Sequence, residues 1–185
     1  KSAEGLETLV KGTYQILRYK PDYNPGNYVF GINSDVEVFA WSDANRVANG
    51  GYAPGAWNAQ AGTSTNMNSQ LMALIGQVSG GVSEGCYPVI NRCNIFLENY
   101  ATLSDADKKK MEERRGEILF LRTYAYFILS NTFGAVPIMT KSVSGMPENF
   151  YYPKGTLEEL YSMLINDMKE AVEILPATTG DLGRI

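Results

Sequence analysis

Apolar residues recur at helical spacing in several stretches of this chain, separated by clusters of proline, glycine and asparagine. Leu6, Leu9, Val10, Thr13, Tyr14 and Leu17 fall on one helical face, which predicts an amphipathic helix over residues 3–19 that Pro21 and Pro25 bring to a stop. Tyr28-Val29-Phe30-Gly31-Ile32 is short, aromatic and β-branched, and reads as a strand or an extended segment. A helix is expected from about residue 65 through Leu71, Met72, Leu74 and Ile75 to Gly80-Gly81. Another spans 88–100, with Val89, Ile90, Cys93, Phe96 and Leu97 on one face, Pro88 opening it and Cys86 just outside. Ser104-Asp105-Ala106-Asp107 resembles a capping box and starts one long helix over about 105–132. Its first part, 108–115, is charged; from Ile118 to Phe133 it is apolar nearly all round, with Arg122 the only charge. A helix apolar on every side is expected to be covered on every side. Gly134 then supplies a C-terminal cap and Pro137 a stop. The last helix opens on the capping box Thr156-Leu157-Glu158-Glu159 and carries a wide stripe: Leu157, Leu160, Tyr161, Leu164, Ile165, Met168, Val172 and Leu175. Pro176 closes it. That stripe needs a partner, which leads us to expect a chain incomplete at its C-terminal end.

Composition narrows the field. The chain has 185 residues, 44% hydrophobic and 19% charged, enough for one domain or slightly more with a real core. A net charge of −4 argues against a nucleic-acid partner, which would face a basic patch. There is no histidine. That removes Ser-His-Asp and Cys-His catalysis, His-ligated zinc and a histidine pH switch. No stretch approaches the 18 or more apolar residues of a membrane span. The first residues carry no secretory signal, and Lys1 leaves room for a leader removed before it. Cys86 and Cys93 are seven residues apart, about 10.5 Å of rise on one helix, which disfavours a disulfide between them.

The candidate chemistry is sparse. Glu112, Glu113 and Glu117 read as a solvated face beside Lys109 and Lys110, not as an acid/base pair, because glycosidase carboxylates face each other across a cleft. Glu117 and Arg122 are five residues apart and point about 140° away from each other, so Arg122 needs partners from other elements. Asp35, Glu37, Asp43 and Asp22 offer carboxylate oxygens to a cation, but no EF-hand pattern is present. No glycine pair is followed by Lys-Ser/Thr, so there is no P-loop. No catalytic residue, no metal ligand set and no cofactor is assigned.

More informative is a long irregular loop over about residues 20–63. No charged residue lies between Arg46 and Glu84. Trp41, Tyr52 and Trp57 lie in or beside this neutral stretch, interleaved with Asn45, Asn49 and Asn58. Flat aromatics suit the C–H faces of sugar rings, and neutral amides suit their hydroxyl rims. Packing of the two tryptophans onto the core remains the competing reading. The candidate ligand-binding residues are Trp41, Asn45, Tyr52 and Trp57.

Four further motifs resemble those of one family. Tyr87-Pro88-Val89-Ile90-Asn91-Arg92-Cys93-Asn94-Ile95-Phe96-Leu97 is similar to the Y-x-x-I-x-R-x-N-x-x-L helix of the SusD/RagB group. Gly116-Glu117-Ile118-Leu119-Phe120-Leu121-Arg122-Thr123-Tyr124-Ala125-Tyr126-Phe127 resembles its G-E-A-x-F-L-R-A-x-x-Y-F segment, and Phe133-Gly134-Ala135-Val136-Pro137-Ile138 its F-G-x-V-P-L. Leu160-Tyr161 through Asp167, then Ala171 and Leu175-Pro176, resembles Y-x-x-I-x-x-D-L-x-x-A-x-x-x-L-P. The four occur in the family's order, over about residues 5–185.

The resemblance implies a mostly α fold of tetratricopeptide-like helix pairs, an α superhelix with long irregular loops, in which residues 1–185 form the N-terminal part. The helical hairpins would span about 65–176. It implies a non-catalytic, surface-exposed outer-membrane lipoprotein, anchored by a lipid upstream of Lys1. Its partners would be an oligosaccharide and a SusC-type TonB-dependent transporter. Asn91, Arg92, Asn94, Glu117 and Arg122 match family signatures with a structural role. Two other readings compete: a helical-repeat module that binds a peptide or protein in nutrient uptake, and a glycoside hydrolase working through Asp35 or Asp43.

Overall fold

The computed structural model describes residues 2–19, 76–79, 82–144, 151–180 and 183–185. The chain divides into two compact units, one of residues 1–15 with 86–185 and the other of residues 16–85. Of the second, the described part is the end of the first helix and a two-stranded antiparallel hairpin, β1 (Gln77–Ser79) and β2 (Val82–Glu84). Its register pairs Gln77 with Glu84, Val78 with Ser83 and Ser79 with Val82. This corrects the expected helix up to Gly80-Gly81. Two strand-compatible tripeptides flank a Gly-Gly pair, and that two-residue connection favours a hairpin over continuation of a helix. The expected loop over 20–63, the Tyr28–Ile32 segment and the residues from 65 to 75 lie outside the described residues.

The larger unit is helical. Helix α1 (Ala3–Tyr19) begins and ends where the periodicity places it, and buries Leu6, Val10 and Thr13 at i, i+4 and i+7. The Thr13 hydroxyl is satisfied within the helix, donating to the Leu9 carbonyl at 2.8 Å. Helix α2 (Cys86–Ala101) buries Cys86, Val89, Ile90, Cys93, Asn94 and Phe96. Cys86 is therefore its first residue, not a neighbour of it. Pro88 is accommodated because it lies in the first turn, where a missing N–H breaks no intrahelical bond. Both cysteines are free, buried thiols.

The long helix expected over 105–132 is two helices. A short α3 (Asp105–Lys110) is capped by Ser104, whose hydroxyl accepts from the Asp107 amide at 3.2 Å. The chain breaks at Met111 (φ −101°, ψ 7°), and α4 (Glu112–Phe133) follows. Met111 is buried. Neither proline nor glycine marks the break; one apolar side chain at the junction turns inward among charged neighbours.

Helix α4 packs against both α2 and α5 (Leu157–Ile174). Its Gly116 is where the end of α5 comes closest: a Cβ there would lie 2.9 Å from Leu175 Cγ and 3.2 Å from Ile174 Cγ2. Gly134 ends α4 with φ +70°, a conformation glycine adopts without strain, and its amide reaches the Ser130 carbonyl at 2.9 Å. The α5 capping box forms as its sequence predicts. Glu159 N donates to Thr156 Oγ1 at 3.1 Å and Thr156 N to Glu159 Oε2 at 2.8 Å. Caps of this kind are worth about 1 kcal/mol.

Candidate functional site

The four residues picked for ligand contact, Trp41, Asn45, Tyr52 and Trp57, all lie outside the described residues, as do Asp22, Asp35, Glu37 and Asp43. Among the described residues there is no group of three or more carboxylate and cysteine side chains placed to hold a metal ion. No described helix is long and apolar enough to cross a membrane. What the structure does place is the framework around the signature residues, and it resolves into two polar clusters.

The first joins α2, α4 and α5. Arg122 and Asp167 are each more than nine-tenths buried, and the guanidinium grips the carboxylate through two parallel bonds: Nε to Oδ2 and Nη2 to Oδ1, both 2.8 Å. This fork-to-fork geometry is the strong form of an ion pair. A third donor, Nη1, reaches Asn94 Oδ1 at 3.0 Å. Asn94 in turn donates through Nδ2 to the carbonyls of Met139 (2.9 Å) and Lys141 (3.1 Å). One buried charge pair thus holds three helices and the connector leaving α4.

That connector, residues 137–143, has no regular secondary structure and is held by side chains. Tyr87 donates to the Pro137 carbonyl at 3.0 Å. Tyr126 Oη accepts from the Met139 amide at 2.6 Å and lies 3.2 Å from its carbonyl. Asn91 accepts from the Val143 amide (2.7 Å) and donates to its carbonyl (3.2 Å), while Glu98 takes the amide and hydroxyl of Ser142 at 2.7 and 2.6 Å. Burial pushes the Tyr126 hydroxyl up to about 12, so it stays protonated as a donor.

The second cluster joins α1, α4 and residues 183–185. Glu117 is 1% exposed. It accepts from Arg114 Nη1 at 2.5 Å and from Arg184 Nε at 3.2 Å. The same two arginines hold Glu7, through Arg114 Nε at 2.9 Å and Arg184 Nη1 at 2.7 Å. Two carboxylates and two guanidinia alternate, so each charge, the buried Glu117 included, has opposite charges beside it. Burial pushes the Glu7 carboxyl up, but the guanidinia of Arg184 and Arg114 outweigh it and hold the group below its usual range. Tyr14 closes the cluster, accepting from the Ile185 amide at 3.3 Å, with the Arg184 guanidinium over its ring. Glu117 is therefore not part of the solvated face expected of it. Glu112 and Glu113 are exposed; Glu117, one turn on from Glu113, is buried where Arg114 and Arg184 close over it. Arg92 extends the framework to α1, donating to the Gly12 carbonyl at 2.9 Å.

Asn91, Arg92, Asn94, Glu117 and Arg122 all bond to neighbouring elements of this framework. Sequence reasoning missed Asp167 as the partner of Arg122, and Arg114 and Arg184 as the partners that Glu117 shares with Glu7. For Asp167 a signal existed: it falls at i+7 from Leu160 and i+3 from Leu164, on the buried face of α5, as the lone charge there. Two lone charges of opposite sign on apolar helix faces are candidates to pair.

Comparison with known proteins accords with this framework. The profile of a SusD-like family, described as starch-binding and associating with the outer membrane, matches residues 36–182. SusD-like protein P38 of Formosa agariphila is 26% identical over 95 residues, 51% of this chain and 18% of its own length. The solved structure of a SusD-like carbohydrate binding protein from Bacteroides vulgatus superposes with a TM-score of 0.64 at 22% identity, over 97% of this chain and 37% of its own. A SusD superfamily protein from Bacteroides thetaiotaomicron superposes with a TM-score of 0.61 at 19% identity, over 100% of this chain and 38% of its own. The chain thus spans under two-fifths of these structures and about a fifth of its curated relatives.

Proposed function

The chain belongs to the SusD-like family, and from that premise we propose that the protein is a non-catalytic receptor which captures oligosaccharides at the outer-membrane surface and hands them to a SusC-type TonB-dependent transporter. The observation that carries the reading is the family match over residues 36–182, which takes in the whole uncharged stretch between Arg46 and Glu84. The family is starch-binding by description, and this stretch has the composition a sugar site needs: aromatic faces and neutral amides without fixed charge. In this reading Trp41 and Trp57 stack on sugar rings, and Asn45 and Tyr52 bond the hydroxyl rim. The lipid anchor lies upstream of Lys1. The helical framework serves as a rigid mount; Arg122, Asp167 and Asn94 lock the helices and take no part in ligand contact.

The test is isothermal titration of the full-length protein against a panel of oligosaccharides, with Trp41→Ala and Trp57→Ala alongside. Truncating an aromatic anchor removes about 2 kcal/mol or more of binding energy, a loss of about 30-fold in affinity. Such a loss in one variant whose melting is unchanged supports the reading. Binding should also change little with salt, since the proposed contacts are uncharged. If no sugar binds, or both variants bind as the parent does, the assignment falls and peptides become the next ligands to titrate. Chemical change in a bound oligosaccharide would refute the non-catalytic part of it.

A further inference from the structure

Helix α1 is attached to the helical unit differently from the other long helices. The extensive helix contacts are those of α2 with α4 and of α4 with α5; among the described residues α1 makes none of that size. It buries Leu6, Val10 and Thr13, of which only two are apolar. Its other ties are polar. Glu7, Arg114, Glu117 and Arg184 form a closed ring of four ion pairs: each carboxylate gives one oxygen to each arginine, and each arginine uses Nε and Nη1. Only Glu7 of the four belongs to α1. The charges around it are Lys11 on its own helix, 3.8 Å from Oε1, then Arg114 and Glu117 on α4, and Arg184; Glu113 stands 3.8 Å from Arg114. Further along, Arg92 of α2 donates to the Gly12 carbonyl at 2.9 Å, and a Cβ on Gly12 would lie 3.1 Å from the same nitrogen. Tyr14 Oη accepts from the Ile185 amide at 3.3 Å.

We propose that α1 is an arm that undocks as one piece, together with residues 183–185, while α2, α4 and α5 stay folded, and that the charge on Glu7 decides whether it is docked. With Glu7 ionised the ring is neutral, two carboxylates against two guanidinia. With Glu7 neutral, both guanidinia face Glu117 alone and Lys11 adds a third positive charge beside them, in a site where Arg114 and Arg184 are mostly buried. Undocking returns those charges to water, which favours the open form. The sign follows from the same contacts. Glu7 is held below its ordinary 4.5 when docked, so its contribution to docking is present above 4.5 and is lost as pH falls through the lower docked value. The arm also has a particular place in the chain. Helix α1 runs from Ala3 to Tyr19, and the boundary between the two units falls inside it, between Gln15 and Ile16. Docking of α1 therefore holds one of the two covalent connections through which residues 16–85 join the helical unit, and undocking releases it.

The test is amide hydrogen exchange of the full-length protein, read by mass spectrometry. At pH 7 the amides of α1 should be protected at least about tenfold less than those of α4, as expected of a unit that opens without the core. Glu7→Gln stands for the neutral acid: it can accept from one arginine but offers the other an NH2 group. It should cut α1 protection by a further factor of about 30, the range expected for lost hydrogen bonds to charged groups. The Ile185 amide should lose protection with it, and α4 should not change. Glu4→Gln is the control, an exposed acid in the first turn of the same helix and outside the ring; it should cost α1 at most about fivefold. Lowering the pH from 7 to 3.5, with rates corrected for chemical exchange, should reduce α1 protection more in the parent than in Glu7→Gln. Equal protection of α1 and α4 in the parent would overturn the proposal, as would an equal loss from both helices in Glu7→Gln, since α1 would then belong to the cooperative core. A loss in Glu4→Gln as large as in Glu7→Gln would overturn it in favour of a helix-dipole effect. Unchanged α1 protection in Glu7→Gln would overturn the control assigned to the ring, and so would outright unfolding of that variant, because the core is required to survive release of the arm. None of these readings depends on whether residues 16–85 bind a sugar.

Discussion

Replacing Asp167 by alanine should be among the most damaging single changes in the helical unit. The substitution removes both 2.8 Å bonds from Arg122 and leaves a guanidinium in a site where the residue is only 8% exposed. Hydrogen bonds to charged groups are worth about 1.5–3 kcal/mol each, and breaking a buried pair by deleting one partner costs about 3–5 kcal/mol. The second figure is the one to expect, because it includes the stranded charge. The double variant Arg122→Met/Asp167→Leu removes both charges and refills the space, which in buried pairs is often neutral or better. It still deprives Asn94 Oδ1 of its 3.0 Å donor, so a net loss of about 1 kcal/mol is expected. Urea unfolding of the full-length protein, followed by far-ultraviolet circular dichroism, reads both values from the midpoint, provided the slope is unchanged. The double variant should be more stable than Asp167→Ala by about 2–4 kcal/mol. A loss under about 1 kcal/mol for Asp167→Ala would refute the claim that this pair is a desolvated clamp. So would a double variant less stable than the single one.

Two further outcomes follow from the packing and the charge clusters. Gly116→Val should lower stability by about 1–3 kcal/mol, since its Cβ would meet Leu175 and Ile174 at 2.9 and 3.2 Å; Gly116→Ala should lose less, because better helix propensity offsets part of the clash. Thermal melting of both variants checks the order. Glu7 is depressed in the folded state, so the stability it contributes is present above its ordinary 4.5 and is lost as pH falls through its lower folded value. Melting from pH 7 down to 3 should therefore show a steeper acid decline for the parent than for Glu7→Gln; parallel curves would contradict the role assigned to Arg114 and Arg184.

How far the fold can be read from the sequence depends on whether the deciding contacts are local. Helix α1 and the capped start of α5 are legible because periodicity and a T-x-x-E box act within a few residues of themselves. The break at Met111 is not, because it rests on the burial of a single side chain that the pattern cannot distinguish from a continuing helix. The β1–β2 hairpin was legible in principle through Val78-Ser79-Gly80-Gly81-Val82, but the apolar residues before it read as a helix running on. Glu117 was misjudged for a different reason: Arg114 is three residues away, but its other partner, Arg184, lies 67 residues on, and both arginines are also held by Glu7 near the start of the chain. The Arg122–Asp167 pair stands between these cases, since each residue is conspicuous alone while their separation of 45 residues hides the pairing. For the candidate sugar site, Trp41, Asn45, Tyr52 and Trp57 rest on composition and on the family match.

The connector over residues 137–143 has one more consequence. It has no regular secondary structure, and by that criterion it resembles a loop in which insertions and deletions would be harmless. Yet its carbonyls and amides meet particular side chains on two rigid helices: Tyr87 at Pro137, Tyr126 and Asn94 at Met139, Asn91 at Val143. Adding a single residue between Gly134 and Pro137 would put the wrong backbone group opposite every one of these partners at once. The piece of chain that looks most expendable is thus among the least able to change length, because its spacing is set by a template that it does not itself encode.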